Sequence, residues 1–504
     1  MPCSTPTGSV SAGSDDVGAW CGDDVTAAWL AGADRSSDWA AARVLVAGLG
    51  RSGEAAAAVL LRLGAQVHVI DDAVGEPQRQ VGDRLTALGA TVQLGEWAGS
   101  TGGFDLLVPS PGLPPRSAVI AEALAEGVPV WSGERLAWHL RPAGSTWLTL
   151  TGTNGKTTTV EMLASMLLAG GFAAAAVGNV GRPLVEAVMS LPAYSVLAVE
   201  LSSFQLHFTD DVQPQAAALL NIGVDHIDWH GSLEAYIADK AKVFNGAQRA
   251  VVYNQSDRTT EQLARAADVA EGCRGVGITL GAPAVGMVGV VDDILCDRAF
   301  GDQLSHEAVE LATLSDLGLP GRHNVMNALA AAALARAHGV TPEAVRAGLR
   351  GFQLAPHRSQ LVATVGGISY VDDSKATNVD AARVSLQAHQ SVVWVAGGLA
   401  KGATFDELVR HAVDRLRGVV LIGQDRDLIR QALRRHAPEV PVIEVSAGET
   451  DLMDDVVSAA AGLAAPGDTV LLAPACASMD QFVDYAARGE AFAAAVHRLV
   501  EGAS

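Results

Sequence analysis

The chain has 504 residues, of which 49% are hydrophobic and 18% charged, a composition typical of a globular protein with several domains. Asp and Glu outnumber Lys and Arg by 56 to 35, and the net charge of −21 argues against nucleic acid or an anionic membrane as a partner. The five cysteines are widely spaced, and no apolar run of about 18 residues occurs. We therefore expect no disulfide framework, no membrane insertion and, without a signal-peptide pattern, a cytoplasmic location.

Residues 1–40 are rich in Ser, Gly and Asp, which predicts a flexible extension with no assigned function. A first domain over 41–145 begins with a strand, a G-x-G-x-x-G loop, a helix, a second strand and Asp71. This order is typical of a Rossmann-like unit whose acid meets a ribose hydroxyl, and alone it fits NAD, another nucleotide or no ligand. A later strand ends at Ser110 and Gly112, which either contact a phosphate or only form the turn.

A second strand–loop–helix unit opens a central domain over 146–350. Its loop reads Gly152-Thr153-Asn154-Gly155-Lys156-Thr157-Thr158 and is followed by a helix-forming run. Glycines, a helix N-terminus and a lysine in this order are typical of a phosphate-binding loop, with the Thr157 hydroxyl placed to ligate Mg2+. The loop is a variant, because Leu150 stands where the general pattern has its first glycine. The sequence therefore predicts a nucleoside triphosphate site.

Polar residues follow further predicted strands and turns of the central domain. Glu200 ends a buried strand, where it either holds Mg2+ or is a solvated terminus. His226 follows another strand, and a lone histidine is more often structural. Asn324 and Asn327 share the first turn of a helix, which they either cap or use to hydrogen-bond a nucleotide. Short apolar runs over about 275–318 predict small antiparallel strands.

Residues 351–504 alternate strands and helices once more, each strand ending in a Gly, Pro or polar cluster. This pattern predicts a second Rossmann-like domain with a polar rim at the carboxyl ends of its strands. The predicted fold is therefore α/β, with a Rossmann-like domain on either side of a central ATP-binding domain that also carries small antiparallel strands.

Several motifs in a fixed order together resemble the Mur ligases. They lie at residues 151–158, 178–181, 200–206, 221–226, 321–324, 357–358, 373–378 and 474–482. The last three resemble the D-glutamate-adding branch of that family, and the resemblance extends from about residue 41 to about 500. It implies that ATP activates the terminal carboxylate of UDP-N-acetylmuramoyl-L-alanine as an acyl phosphate, which the amine of D-glutamate then attacks. A monomer is expected.

The resemblance also implies roles for individual residues, with Lys156, His226, Lys240 and Lys375 at the chemical centre. The implied ATP contacts are Gly152, Thr153, Asn154, Gly155, Lys156, Thr157, Thr158, Asn324, Asn327, Arg358 and Asp373. The implied contacts of the UDP substrate are Arg51, Ser52, Asp71, Asp72, Ser110, Gly112, Asn179 and Ser202. Those of D-glutamate are Lys375, Thr377, Lys401, Ser478, Met479 and Tyr485.

The implied Mg2+ ligands are Thr157, Glu200, His226 and Lys240, the last as a CO2-derived carbamate. A lysine ammonium cannot bind a metal, whereas its carbamate offers the anionic oxygen that Mg2+ prefers. Carbamate formation needs a neutral amine, which burial favours. The chain departs from the family in two places: Arg51-Ser52 stand where Leu-Thr is frequent, and Tyr485 replaces a more familiar Phe.

Three alternative functions are distinguishable. Another Mur ligase or a folate-type polyglutamate ligase would share the central domain but differ in the third domain. An NAD-dependent oxidoreductase would explain the first glycine loop but leave the phosphate loop, Glu200 and His226 without a role. A non-catalytic ATP switch would bind nucleotide and release no phosphate with both substrates present.

Overall fold

The computed structural model describes residues 29–301, 307–319, 321–353, 357–446 and 452–503. Three sheets built mainly of parallel strands, with four, nine and six strands, follow one another along the chain, with helices between their strands. The predicted three-domain α/β class is confirmed. Among the described residues, none of the helices has both the length and the apolar character needed to cross a membrane.

The N-terminal sheet has the strand order β3-β2-β1-β4, and all its strands are parallel. Its elements are β1 (Arg43–Ala47), α1 (Arg51–Arg62), β2 (Gln66–Asp71), α2 (Glu76–Ala87), β3 (Thr91–Leu94), β4 (Leu106–Pro109), α3 (Ala118–Ala125) and α4 (Gly133–Leu140). Helix α1 crosses close above the loop after β1, since a Cβ on Gly53 would lie 1.9 Å from the carbonyl oxygen of Gly48. The glycine loop is thus a close strand–helix junction at the carboxyl edge of the sheet.

The central sheet has the order β13-β12-β11-β10-β9-β8-β5-β7-β6. Its strands are β5 (Thr146–Thr151), β6 (Ala174–Gly178), β7 (Val196–Glu200), β8 (Ala216–Leu219), β9 (Ala250–Asn254), β10 (Arg274–Ile278), β11 (Met287–Val291), β12 (Ile294–Asp297) and β13 (Val309–Thr313). Its helices are α5 (Lys156–Ala169), α6 (Leu184–Ala187), α7 (Ser203–His207), α8 (Ile227–His230), α9 (Leu233–Ala241), α10 (Arg258–Ala266), α11 (Arg322–His338) and α12 (Pro342–Gly351).

The strands predicted to be antiparallel over 275–318 differ in part from that expectation. Strand β10 is parallel to both β9 and β11, and only the pairs β11–β12 and β12–β13 are antiparallel. All of them extend the sheet that carries the phosphate loop. Apolar runs identify strands, but strand direction depends on partners that local sequence does not specify.

The C-terminal sheet has the order β14-β15-β19-β16-β17-β18, in which only the pair β14–β15 is antiparallel. Its strands are β14 (Gln360–Val365), β15 (Ile368–Asp372), β16 (Val392–Gly397), β17 (Leu416–Ile422), β18 (Val442–Glu444) and β19 (Thr469–Leu472). Its helices are α13 (Val379–Gln387), α14 (Asp406–Ala412), α15 (Arg426–His436), α16 (Leu452–Leu463) and α17 (Tyr485–Ala503). The central strands are buried on both faces, as their continuous Val, Leu and Ile runs require.

Residues 29–40 differ from the predicted flexible extension. The Trp39 side chain is buried, and Arg35 Nη2 donates hydrogen bonds to the carbonyl oxygens of Leu140 (2.7 Å) and Val188 (2.9 Å). These contacts tie the segment to the ends of α4 and α6. The Ser- and Asp-rich composition gave no sign of these long-range contacts. The rest of the predicted extension lies outside the described residues.

A buried carboxyl group joins the N-terminal and central domains. Glu134, at the start of α4, accepts a 2.5 Å hydrogen bond from the Gln205 side chain of α7, while its second oxygen is buried and has no partner among the described residues. Burial raises the pKa of Glu134 from 4.5 to about 7. The hydroxyl groups of Ser132 and Thr209, 2.6 Å apart, add a second contact between the same elements.

We expect Glu134→Gln to stabilise the protein above pH 7. Between pH 4.5 and 7 the unfolded chain releases a proton that folded Glu134 retains, so the free energy of unfolding falls as pH rises through this range. The destabilisation is complete above pH 7 and absent below pH 4.5. Glutamine removes a penalty of roughly 3 kcal/mol, at about 1.4 kcal/mol per pH unit. Melting temperatures at pH 5 and pH 8 measure the effect, with exposed Glu271→Gln as control; a lower melting temperature for Glu134→Gln at pH 8 would contradict it.

Candidate active site

The phosphate loop lies at the carboxyl edge of the central sheet. It leaves β5 after Thr151 and enters α5 at Lys156, with Gly155 in the left-handed region at φ 83°. The Lys156 ammonium folds back onto its own loop, donating to the carbonyl oxygens of Gly152 (2.8 Å) and Thr153 (2.9 Å). Burial lowers the pKa of Lys156. The lysine is thus held within the loop, where an entering phosphate would offer stronger acceptors than the two carbonyl groups.

Gly155 is the loop position least able to accept a side chain. A Cβ there would lie 2.3 Å from Oδ1 of Asn327, because the Asn327 side chain of α11 packs against the loop at this point. We expect Gly155→Ala to weaken ADP binding about 100-fold, because the left-handed backbone costs roughly 1–2 kcal/mol and Asn327 must also move. Gly171→Ala is the matched control, since Gly171 has φ 81° but nothing within 4 Å of its Cβ position. Calorimetric titration with ADP measures both variants; equal affinities would contradict the steric argument.

Glu200 ends β7 beside the phosphate loop. Its carboxylate is buried, with Oε1 accepting a 2.9 Å hydrogen bond from Nδ2 of Asn179 and Oε2 lacking a partner among the described residues. In the neighbouring strand Leu150 pairs with Glu200, and Thr157 is buried in the first turn of α5. A buried carboxylate oxygen without a hydrogen-bond donor is costly unless a cation approaches it. This orphaned oxygen fits the predicted magnesium ligand.

Lys240 projects from α9 into the same region. The side chain is fully buried, and its Nζ donates to the carbonyl oxygen of Gly152 (2.9 Å) and lies 3.4 Å from Oγ1 of Thr151. Burial, followed by the charge of Lys156, lowers the pKa of Lys240 well below its ordinary value. Burial thus favours the neutral amine that carbamate formation requires.

His226 provides a further potential ligand in this region. It caps α8 with φ 54°, and the Phe204 ring meets it edge-on at 4.6 Å. Burial lowers the pKa of His226 to about 4, against the opposing charge of Asp225. The imidazole is thus neutral at physiological pH and has a lone pair for a metal.

A hydrogen-bonded group that the sequence did not indicate holds α9 in place. Asp239, next to Lys240, accepts hydrogen bonds from Nδ1 of His207 (2.8 Å) and Nδ1 of His230 (2.9 Å), while Nε2 of His230 lies 2.9 Å from Oγ of Ser203. The spacing of this group is also compatible with a metal ion, but the hydrogen bonds already satisfy its atoms. It fixes the direction in which α9 presents Lys240.

The third domain brings Lys375 to the phosphate loop. Its Nζ lies 3.7 Å from the centre of the Tyr485 ring, a cation–π contact. Burial lowers the pKa of Lys375 to about 8, and Arg358 contributes next. The charge of Arg358 also acts on Lys156, so both side chains lie close to the loop. Lys375 and Arg358 thus approach the phosphate-loop lysine from the third domain.

A direct contact joins the third domain to the loop, because Nδ2 of Asn378 donates a 3.1 Å hydrogen bond to Oδ1 of Asn154. Asp373, an implied nucleotide contact, accepts from the backbone N–H of Ser359, and burial raises its pKa. The remaining implied positions differ in exposure. Ser478, Asn324 and Thr158 are buried, Thr377 and Lys401 are half-buried, and Met479 is 72% exposed.

Two of the positions implied for the UDP substrate hold the shape of the first glycine loop. Asp71 accepts a 2.6 Å hydrogen bond from the N–H of Leu49, and Ser110 Oγ donates to the carbonyl oxygen of Gly48. Ser110 therefore stabilises the turn, which is one of the two roles that the sequence left open for it. Arg51 and Ser52 begin α1, Asp72 and Gly112 are exposed, Asn179 bonds Glu200, and Ser202 caps α7.

Comparison with known proteins agrees with this geometry. Residues 42–132 match the family described as Mur ligase MurD-like, N-terminal domain, residues 150–335 the Mur ligase middle domain, and residues 357–476 the Mur ligase, glutamate ligase domain. The UDP-N-acetylmuramoylalanine–D-glutamate ligase of Streptomyces avermitilis is 55% identical, covering 92% of this chain and 99% of the relative. That of Thermobifida fusca is 53% identical, covering 91% and 98%. This chain belongs to the Mur ligase family.

Solved Mur ligases share the fold of this Mur ligase. The UDP-N-acetylmuramate–alanine ligase of Thermotoga maritima has a TM-score of 0.56 at 18% identity, covering 91% of this chain and 99% of the other. The MurF ligase of the same organism, determined in complex with ADP, has a TM-score of 0.54 at 17% identity, covering 87% and 96%. At these identities the likeness establishes the three-domain fold.

A buried arginine organises the third domain of this Mur ligase and was not identified from the sequence. Arg488 is 1% exposed and donates to Oγ of Ser374 (3.0 Å), the carbonyl oxygen of Ser374 (2.9 Å) and that of Cys476 (3.2 Å). It therefore ties the motif at 373–378 to the motif at 474–482. A single arginine in an Ala-rich helix carries no local signal of such contacts.

Proposed function

We propose that the protein ligates D-glutamate to UDP-N-acetylmuramoyl-L-alanine at the expense of ATP, a step in the synthesis of peptidoglycan precursors. The observation that carries the proposal is the 55% identity to a UDP-N-acetylmuramoylalanine–D-glutamate ligase over 99% of that relative's length. The convergence of Lys156, Glu200, Lys240 and Lys375 supports it, because such a ligation must bind several anions side by side.

The phosphate loop binds ATP in this proposal. Loop N–H groups and the α5 N-terminus face the phosphates, and Lys156 exchanges its two carbonyl partners for the γ-phosphoryl group. Thr157, Glu200, His226 and Lys240 as its carbamate would hold Mg2+, which when bound would supply positive charge to offset the negative charge of the reacting anions. A carboxylate oxygen of the substrate attacks the γ-phosphorus while the bond from that phosphorus to the β–γ bridging oxygen breaks. ADP leaves with that oxygen, and the substrate is left as an acyl phosphate.

Residues of the third domain hold the incoming amino acid. With its pKa near 8, Lys375 is mostly protonated at neutral pH and pairs with a D-glutamate carboxylate, assisted by Lys401. Thr377 and Ser478 add hydroxyl groups, while Met479 and Tyr485 border the site. The amine of D-glutamate attacks the acyl carbonyl carbon after losing a proton, and inorganic phosphate leaves from the tetrahedral intermediate.

The first domain holds the UDP end of the other substrate in this proposal. Arg51, at the start of α1, pairs with the diphosphate in this proposal, and Asn179, which donates to Glu200, contacts the same substrate from the central domain. A cytoplasmic location agrees with the thiols of Cys273, Cys296 and Cys476, which are free.

Phosphate release tests the function. We expect turnover only when ATP, Mg2+, UDP-N-acetylmuramoyl-L-alanine and D-glutamate are all present, with L-glutamate and meso-diaminopimelate as amine controls. Turnover with either control but not with D-glutamate would overturn the assigned acceptor. Nucleotide binding without phosphate release would favour an ATP switch, and a substrate-dependent change in NADH absorbance would favour an oxidoreductase.

A further inference from the structure

A second cavity lies at the edge of the central sheet opposite the phosphate loop. Its volume is about 410 Å³, within the range of small-molecule sites, which runs from about 300 to 1,000 Å³. Arg249 immediately precedes β9 and Arg274 begins β10, so both lie at the amino ends of strands that run in the same direction as β5, whose carboxyl end carries the phosphate loop. The cavity is therefore separate from the active site.

The lining of this cavity is basic in a chain whose net charge is −21. Arg249, Arg274 and Arg336 line it together with Phe300 and backbone at Gly272, Gly301 and Gly339, and no acidic side chain belongs to the lining among the described residues. Positive charges that line one cavity repel one another, and an anion bound in the cavity relieves that repulsion.

The three arginines are not equivalent. Arg336 is ion-paired with buried Asp297 at 2.9 Å and donates to the carbonyl oxygens of Val340 and Phe300, so its charge is largely offset. Arg274 donates one hydrogen bond, to the carbonyl oxygen of Ala299, and keeps its other N–H groups for a ligand. The Arg249 side chain has no hydrogen bond or ion pair within the described part of the chain.

We propose that this cavity binds a small organic phosphate. The two uncompensated guanidinium groups of Arg249 and Arg274 match the charge of about −1.5 to −2 on a phosphate monoester at neutral pH, and each can bind phosphate oxygens bidentately. Phe300 gives the cavity an apolar wall for the carbon portion of the ligand. Gly272, Gly301 and Gly339 leave that space free of side chains.

Calorimetric titration tests the site, with the protein first saturated with ADP and Mg2+ so that nucleotide-site binding is the same in all variants. The probes are inorganic phosphate and phenyl phosphate. We expect the double variant Arg249→Gln/Arg274→Gln to bind phenyl phosphate at least about tenfold more weakly than the wild type. Arg265→Gln, an exposed arginine of α10 outside the cavity, should bind like the wild type.

Arg249→Gln alone removes no hydrogen bond or ion pair made within the described residues, so it tests the site even if the double variant folds poorly. A several-fold loss of phenyl phosphate affinity is expected. Equal phenyl phosphate affinity in the wild type and Arg249→Gln would overturn the proposal, as would an equal loss in Arg265→Gln. Equal affinity of the wild type for phenyl phosphate and inorganic phosphate would overturn the assignment of an organic ligand. Tighter phenyl phosphate binding that depends on Arg249 would support it.

Discussion

Lys240→Ala is expected to lower kcat about 1000-fold or more. The alanine removes the side chain whose carbamate would place an anionic oxygen at the magnesium site, and metal charge is worth several kcal/mol, at roughly 1.4 kcal/mol per tenfold in rate. Because burial lowers the pKa of Lys240, its neutral amine is available to CO2 at lower pH than that of an exposed lysine. Phosphate release with both substrates measures the loss.

Small carboxylates provide the sharper test of the carbamate. Formate or acetate can occupy the cavity left by Lys240→Ala and supply the missing oxygen, so we expect partial recovery of activity in this variant and no stimulation of the wild type. Lys242→Ala is the matched control two residues along the chain. Its Nζ contacts Asp210, Asp239 and the carbonyl oxygen of His207 and not the phosphate loop, so formate or acetate should not restore any activity that this variant loses. Near-wild-type activity of Lys240→Ala without added carboxylate would rule out the carbamate.

Most of the fold could be predicted because it depends on local patterns. The strand, glycine loop and helix at 146–169 form one continuous segment, and buried apolar strands gave the positions of the three sheets. The direction of β10 could not be predicted, since it depends on pairing with strands distant in sequence. The hydrogen bonds of Arg35 to Leu140 and Val188 could not be predicted either, since these partners are also distant in sequence.

In the candidate site, too, residues within local motifs could be predicted and residues with partners distant in sequence could not. The local sequence left Glu200 as either a magnesium ligand or a solvated strand end. Its burial excludes the solvated end, and the role of metal ligand stays a prediction that the orphaned oxygen supports. The supporting roles of Asp239 and Arg488 could not be predicted from the sequence. Their hydrogen-bond partners lie between 9 and 114 residues away, at separations that form no recognisable motif. The resemblance to Mur ligases supplied roles for matching positions, but it did not supply the side chains that support them.

Glu200→Gln is expected to weaken divalent-cation binding by at least about tenfold and to lower kcat by roughly 100-fold or more. Glutamine has nearly the same shape and can still accept from Asn179, but it removes the negative charge at an oxygen that has no hydrogen-bond donor among the described residues. Glu200 also raises the pKa values of Lys156 and Lys240, so its loss favours their neutral forms. Lys156 then holds the γ-phosphoryl group with less charge.

Two measurements separate these effects in Glu200→Gln. Electron paramagnetic resonance of Mn2+ in the presence of ADP reports cation affinity, and thermal melting without ligands reports the fold, which we expect to be retained. Glu234→Gln is the matched control, since Glu234 is an exposed acid on α9, the helix that also carries Lys240. Unchanged Mn2+ affinity in Glu200→Gln would remove this residue from the metal site. Weaker Mn2+ binding with normal melting would show that the buried carboxylate binds the cation and does not stabilise the sheet. We expect normal melting because glutamine can still accept the hydrogen bond from Asn179.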